Sequence, residues 1–190
     1  DKVKLEVIDP IRRRQEINNN NSWKESNFSW IDNTDLSLEE VTNSTKATKE
    51  ELENWKIRQG IPSFDREING ETNPYELGLA DTINLEKGCY LGQEAMARLF
   101  RSKSLKCQLR YWEAYGESNE FDIGKKFFST NQDQGLKRNL GFITSSIRGK
   151  DNFFNGLALI KRNFLDQDFC FSENGNSITI KKTISFTNPF

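Results

Sequence analysis

The stretch "LKCQLRYW", residues 105–112, decides how the chain folds. Leu105, Cys107, Leu109 and Tyr111 alternate with Lys106, Gln108, Arg110 and Trp112, a period of two that marks a strand. Strand-like runs follow near 121–129, 140–147, 153–161 and 177–186, separated by the glycine-bearing turns "GESN", "RGKDN" and "ENGN". In the last run Ile178, Ile180, Ile184 and Phe186 share one face. Short strands at regular turn spacing predict a small antiparallel barrel or sandwich from residue 104 to the end.

Upstream of the switch the texture is helical and then irregular. "TKEE" (48–51) is a capping-box pattern, in which Thr48 accepts from a first-turn amide and Glu51 reaches back. The following helix carries Leu52 and Trp55 on its apolar side, and Gly60 with Pro62 ends it. Two short helices are expected further on, one over about 80–87 and one over about 92–99. Residues 1–9 alternate like a strand, and the asparagine tract at 18–21 predicts an exposed, mobile loop over about 15–30. Arginines 12–14 are either a solvated charge run or an anion site. The domain boundary falls near residue 103, giving an α+β chain of two parts, 1–103 and 104–190. The opening on Asp1, already strand-like, reads as a chain whose beginning lies upstream.

Composition sets further bounds. A chain of 190 residues can bury roughly 70% of its unfolded surface, enough for a core without metal or disulfide staples. The three cysteines show no CxxC spacing and there is no histidine, so neither a disulfide framework nor a Cys–His or Ser–His nucleophile is available within these residues. Reduced cytosolic thiols, hence a cytoplasmic protein, are expected. A net charge of −1 argues against a nucleic-acid binder, and no run approaches the roughly 20 apolar residues of a membrane span.

One motif carries chemistry. In "KGCYLGQE" (87–94) a lone cysteine sits between two glycines, beside Lys87 and ahead of an expected helix N-terminus. A cation or helix terminus favours the thiolate, whereas a small cysteine in a tight turn can equally be packing filler. Cys107 and Cys170 read as core filling.

The octapeptide resembles the signature K-G-C-Y-x-G-Q-E of the YgfZ family of folate-binding proteins, relatives of the glycine-cleavage T-protein. "WKIRQGIP" (55–62) and "NPYELGLADTINLEKG" (73–88) are similar to the family's segments before the signature. The resemblance covers about residues 50–115. It implies the end of a T-protein-like, ferredoxin-like folate-binding region followed by a C-terminal barrel, with tetrahydrofolate or a derivative as cofactor. It also implies a role supporting iron–sulfur enzymes or their assembly factors, and through them tRNA modification. Carried over by position, Cys89 is the functional thiol, and Lys87, Gly88, Tyr90, Gly92, Gln93 and Glu94 complete the set. Between 95 and 112 there are five basic residues and no acidic one, so Arg98 and Arg101 are candidates for a folate's glutamate tail, or else a solvated basic edge. Glu76 is a candidate pterin partner, since a carboxylate can accept from paired ring donors. The competing reading is a tetrahydrofolate-dependent aminomethyltransferase; T-proteins lack the cysteine octapeptide.

Overall fold

A computed structural model describes residues 13–14, 22–24, 29–31, 47–129 and 137–183. The chain divides into two compact units, Asp1–Thr48 and Lys49–Phe190. In the first, β1 (Arg13–Arg14), β2 (Ser22–Lys24) and β3 (Ser29–Ile31) form an antiparallel sheet with β3 at its centre, Trp30 registering against both Arg13 and Trp23. Paired strand thus occupies part of the stretch expected as loop. The strand expected over 1–9 and the asparagine tract lie outside the described residues.

The second unit opens with α1 (Lys49–Gln59). Glu50 and Glu51 in its first turn and Lys56 and Arg58 in its last complement the helix dipole. Gly60 adopts φ +76°, and the amide of Ile61 reaches back to the Lys56 carbonyl at 2.9 Å, the glycine-ended stop expected from sequence. The apolar face differs from expectation. Ile57 is the buried residue, Leu52 is 38% exposed and Trp55 is half-buried, because the helix meets the barrel through its C-terminal turns.

Strands β4 (Cys107–Tyr115), β5 (Lys126–Phe128), β6 (Asn139–Arg148), β7 (Phe153–Lys161), β8 (Phe169–Phe171) and β9 (Ser177–Lys182) close a six-stranded antiparallel barrel in the order β4-β7-β6-β5-β8-β9. β9 returns to β4, so closure leaves no long unpaired edge. The predicted barrel is therefore present. Its interior holds Trp112, Phe121, Phe127, Leu140, Ile143, Phe154, Ile160, Cys170, Ile178 and Ile180. The Trp112 indole donates to the Leu157 carbonyl at 3.1 Å.

β4 and β7 are covered on their outer side as well. Leu109, Leu157 and Leu159 pack there against Ile57, Leu77 and Leu79. This double burial gives β7 seven consecutive buried residues; Arg110, on the Trp112 side of β4 and registered with Ala158, is 4% exposed and donates to Gln108 Oε1 at 2.8 Å. A bulge in β6 between Ile143 and Ser145 aims the Ser145 hydroxyl at the buried Glu67 carboxylate, which also accepts from the Ser63 amide at 2.9 Å. The loop around Glu67 is thereby pinned to the barrel.

Three local expectations change. The helix expected over 80–87 is only a 3₁₀ turn, Ala80–Thr82, because Asn84 captures the next backbone donors with its side chain. The next helix, α2 (Gln93–Ser102), runs three residues further than expected. β8, a three-residue strand, had no sequence signal, and only Lys126–Phe128 of the run at 121–129 is strand. Ile184 and Phe186 lie outside the described residues. Among those described, no helix is long and apolar enough to cross a membrane.

Candidate functional site

The cysteine octapeptide forms a loop held by side chains rather than by a core. Asn84 Oδ1 accepts from the amides of Glu86 (2.8 Å) and Lys87 (3.0 Å) at its start. At its end the Gln93 side-chain amide bridges back. Nε2 donates to the carbonyls of Leu85 (2.9 Å) and Lys87 (3.4 Å), while Oε1 accepts from the Tyr90 amide at 3.2 Å. Gly92 sits at φ +86° immediately before α2, a conformation that disfavours any side chain. Gly88 has no such constraint, and a methyl group there would meet nothing within 4 Å.

This frame exposes Cys89, and Leu91 two residues on is fully exposed. Tyr90 turns the other way and is half-buried, with Lys87 Nζ 4.8 Å from its ring centroid. Lys87, Tyr90 and Gly92 line a cleft of about 340 Å³, together with Pro74, Ile83 and Met96. The Tyr90 hydroxyl is buried and has no hydrogen-bond partner in the protein. Burial, and then the neighbouring Tyr90, push the Tyr75 phenol above its ordinary value. Tyr75 also packs its ring against Phe100 of α2, with centroids 6.2 Å apart. Glu94 is exposed in the first turn of α2.

The remaining candidates stand apart from this cleft. Glu76 is 5% exposed and anchors the start of β4: one carboxylate oxygen accepts from the Lys106 amide at 3.1 Å, and its carbonyl accepts from the Leu109 amide at 2.8 Å. Burial, followed by the charge and hydrogen bond of Glu76, pushes the Cys107 thiol up to about 12. Arg98 is exposed, and Arg101, also exposed, donates Nε to the Ala97 carbonyl of its own helix at 3.2 Å. Neither arginine lines the cleft, nor does Glu76. The structure therefore brings Lys87, Tyr90 and Gly92 together, gives Gln93 the task of holding the loop, and leaves Cys89 on its outer side. Asn84 and Tyr75 were missed from sequence. An asparagine three residues before the octapeptide's lysine is a readable turn signal; a phenol against a phenol is not.

No family model matches the chain. Over 134 residues it is 34% identical to the Arabidopsis thaliana protein named "Putative transferase At1g60990, chloroplastic". The matched part is 70% of this chain and 27% of that protein, so the chain spans about a quarter of the relative's length. Over most of its own length, then, the chain is a distant homologue of a chloroplastic protein with a transferase-type name.

Proposed function

We propose that the chain is part of a folate-binding accessory protein of the YgfZ type, in which Cys89 is the working thiol. The observation that carries this reading is the exposure of Cys89 on a loop braced by Gln93 and Asn84. Within the octapeptide Cys89 is presented, Gln93 braces the loop, and Lys87, Tyr90 and Gly92 line the cleft behind it, while Gly88 and Glu94 are exposed. A relative with a transferase-type name agrees with kinship to the aminomethyltransferases, and its chloroplast location makes an organelle an alternative to the expected cytoplasm. On this reading residues 1–103 end a folate-binding region of ferredoxin-like topology.

The cleft suits a pterin in part. Its volume lies at the low end of small-molecule sites, room for a ring system rather than a whole folate. The unpartnered Tyr90 hydroxyl offers a buried polar contact for a ring edge, which an empty apolar pocket would not. Tyr90 and Lys87 would hold the ring, and the fixed loop would keep its open side next to Cys89. Bound tetrahydrofolate would supply a reduced ring able to carry one-carbon units. Glu76, already engaged with the Lys106 amide, would act by fixing the cleft's rear wall to β4. The Cys89 thiolate would be the nucleophile or metal ligand offered to a partner. A cluster normally takes about four protein ligands, so one cysteine implies that an iron–sulfur partner supplies the others. The exposed Leu91 beside it gives such a partner an apolar contact.

The test is tRNA thiolation in cells that lack the endogenous protein, rescued with wild type or Cys89→Ser. Rescue by wild type and failure of a well-folded variant is expected; equal rescue removes the thiol from the account. The aminomethyltransferase reading predicts instead that Cys89→Ser keeps full aminomethyl transfer from lipoyl carrier protein to tetrahydrofolate.

A further inference from the structure

A second cleft, of about 630 Å³, lies between α1 and the turn joining β6 to β7, and it shares no residue with the cleft behind the octapeptide. Trp55 from α1 and Phe153 from β7 are among its walls. Arg58, Arg148 and Lys150 also line it. Asn155 does so from deep in β7, where its backbone registers with Glu113 on one side and Ile147 on the other. Asn155 is 2% exposed, yet its Oδ1 has no hydrogen-bond partner in the protein. Buried polar groups are nearly always satisfied, so an orphaned amide oxygen in a cleft wall calls for a donor from outside the chain.

The charges narrow the choice. Among the described residues none of the three cations, all exposed, is ion-paired with a carboxylate; Arg148 donates to the neutral Asn152 Oδ1 at 3.2 Å and lies 5.9 Å from the Phe154 ring centroid. Two carboxylates, Glu50 and Glu51, line the cleft as well. The lining is thus of mixed sign, with the positive groups in the majority. The volume suits a small molecule, the aromatic walls suit a ring, and guanidinium groups favour carboxylate or phosphate.

We propose that this cleft binds a small aromatic amine carrying an anionic group. The ring lies against Trp55 and Phe153, the amine donates to Asn155 Oδ1, and the anion meets Arg58, Arg148 and Lys150. The site stands independently of the cysteine reading, since the two clefts have no residue in common. The anion can come from a carboxylate or a phosphate, and two probes separate these sources.

The experiment titrates the ¹⁵N-labelled 190-residue chain with 4-aminobenzoate, with adenosine 5′-monophosphate and with inorganic phosphate. It follows the Asn155 side-chain amide and the Trp55 indole, with calorimetry for affinity. Saturable shifts of both resonances with either aromatic probe are expected, 4-aminobenzoate alone marking a carboxylate site and the nucleotide alone a phosphate site. Asn155→Leu is expected to weaken binding at least tenfold without lowering Tm. Should that variant fail to fold, the surface pair Arg148→Gln with Lys150→Gln carries the same expected loss. Three results overturn the proposal: neither aromatic probe binds, so that Asn155 serves an ordered water; phosphate alone reproduces the shifts; or the folded variants bind as wild type does.

Discussion

The barrel and the cysteine loop solve opposite problems with the same chain. In β4 and β7 side chains are buried on both faces, and Trp112 is enclosed by Phe121 and Phe127 at ring-centroid distances of 5.5 and 5.8 Å. Residues 84–93 contain no buried residue, and side-chain hydrogen bonds from Asn84 and Gln93 hold their course. Apolar packing is strong and non-directional, whereas a few directed bonds fix a shape while leaving its surface open. Stability is thereby concentrated in one region and chemistry in the other, and substitutions should separate the two.

The largest expected effect falls on the barrel. Trp112→Ala removes a fully buried ring and its bond to Leu157, and should cost about 3–5 kcal/mol in denaturant unfolding. A loss under about 1 kcal/mol would break the contrast at once, since surface changes usually fall below that.

Alkaline pH comes next. The Cys107 thiol is held neutral up to about 12 by burial and then by Glu76, against an ordinary value of 9.0, and burial alone pushes Cys170 up as well. For an acid whose folded pKa is raised, the stability is complete below the ordinary value and is lost as pH climbs toward the folded one. Unfolding free energy should therefore fall from about pH 9 upward. Cys107→Ser combined with Cys170→Ala should flatten part of that fall. Glu76→Gln should bring the Cys107 titration to lower pH, read by thiolate absorbance in a variant with Cys107 as its sole cysteine. An unchanged titration would show that Glu76 does not set it.

The loop should respond least in stability. Gly92→Ala forces a side chain into a left-handed conformation and should cost about 1–2 kcal/mol. Gly88→Ala meets neither strain nor contact, so its Tm should match wild type. If Gly88→Ala unfolds the chain, the loop is packed in a way this account denies.

Much of the barrel was legible because alternation and glycine turns are local signals. The β4 run from Cys107, the β6 and β7 runs and the stop at Gly60 needed no knowledge of neighbours. The covered outer faces of β4 and β7 were not legible, since they depend on α1 and residues 77–79 folding over the barrel, and the burial of Arg110 was not, since it depends on β4 lying between β7 and β9 in the closed barrel. β8 escaped because three residues carry too little pattern. At the site, the octapeptide located Cys89, but the same letters could not say that Gln93 is a brace and Tyr90 a cleft wall. Asn155 gave no signal at all, because an unmet hydrogen bond exists only once the strands are paired.

The account rests on the fold leaving one thiol open, half-covering a second and burying the third. Pulse alkylation of the native chain with iodoacetamide at neutral pH, read by peptide mass spectrometry, tests that directly. Cys89, exposed, should be labelled first, Cys107 far more slowly, and Cys170 only after unfolding. Labelling of Cys89 no faster than that of Cys170 would contradict it.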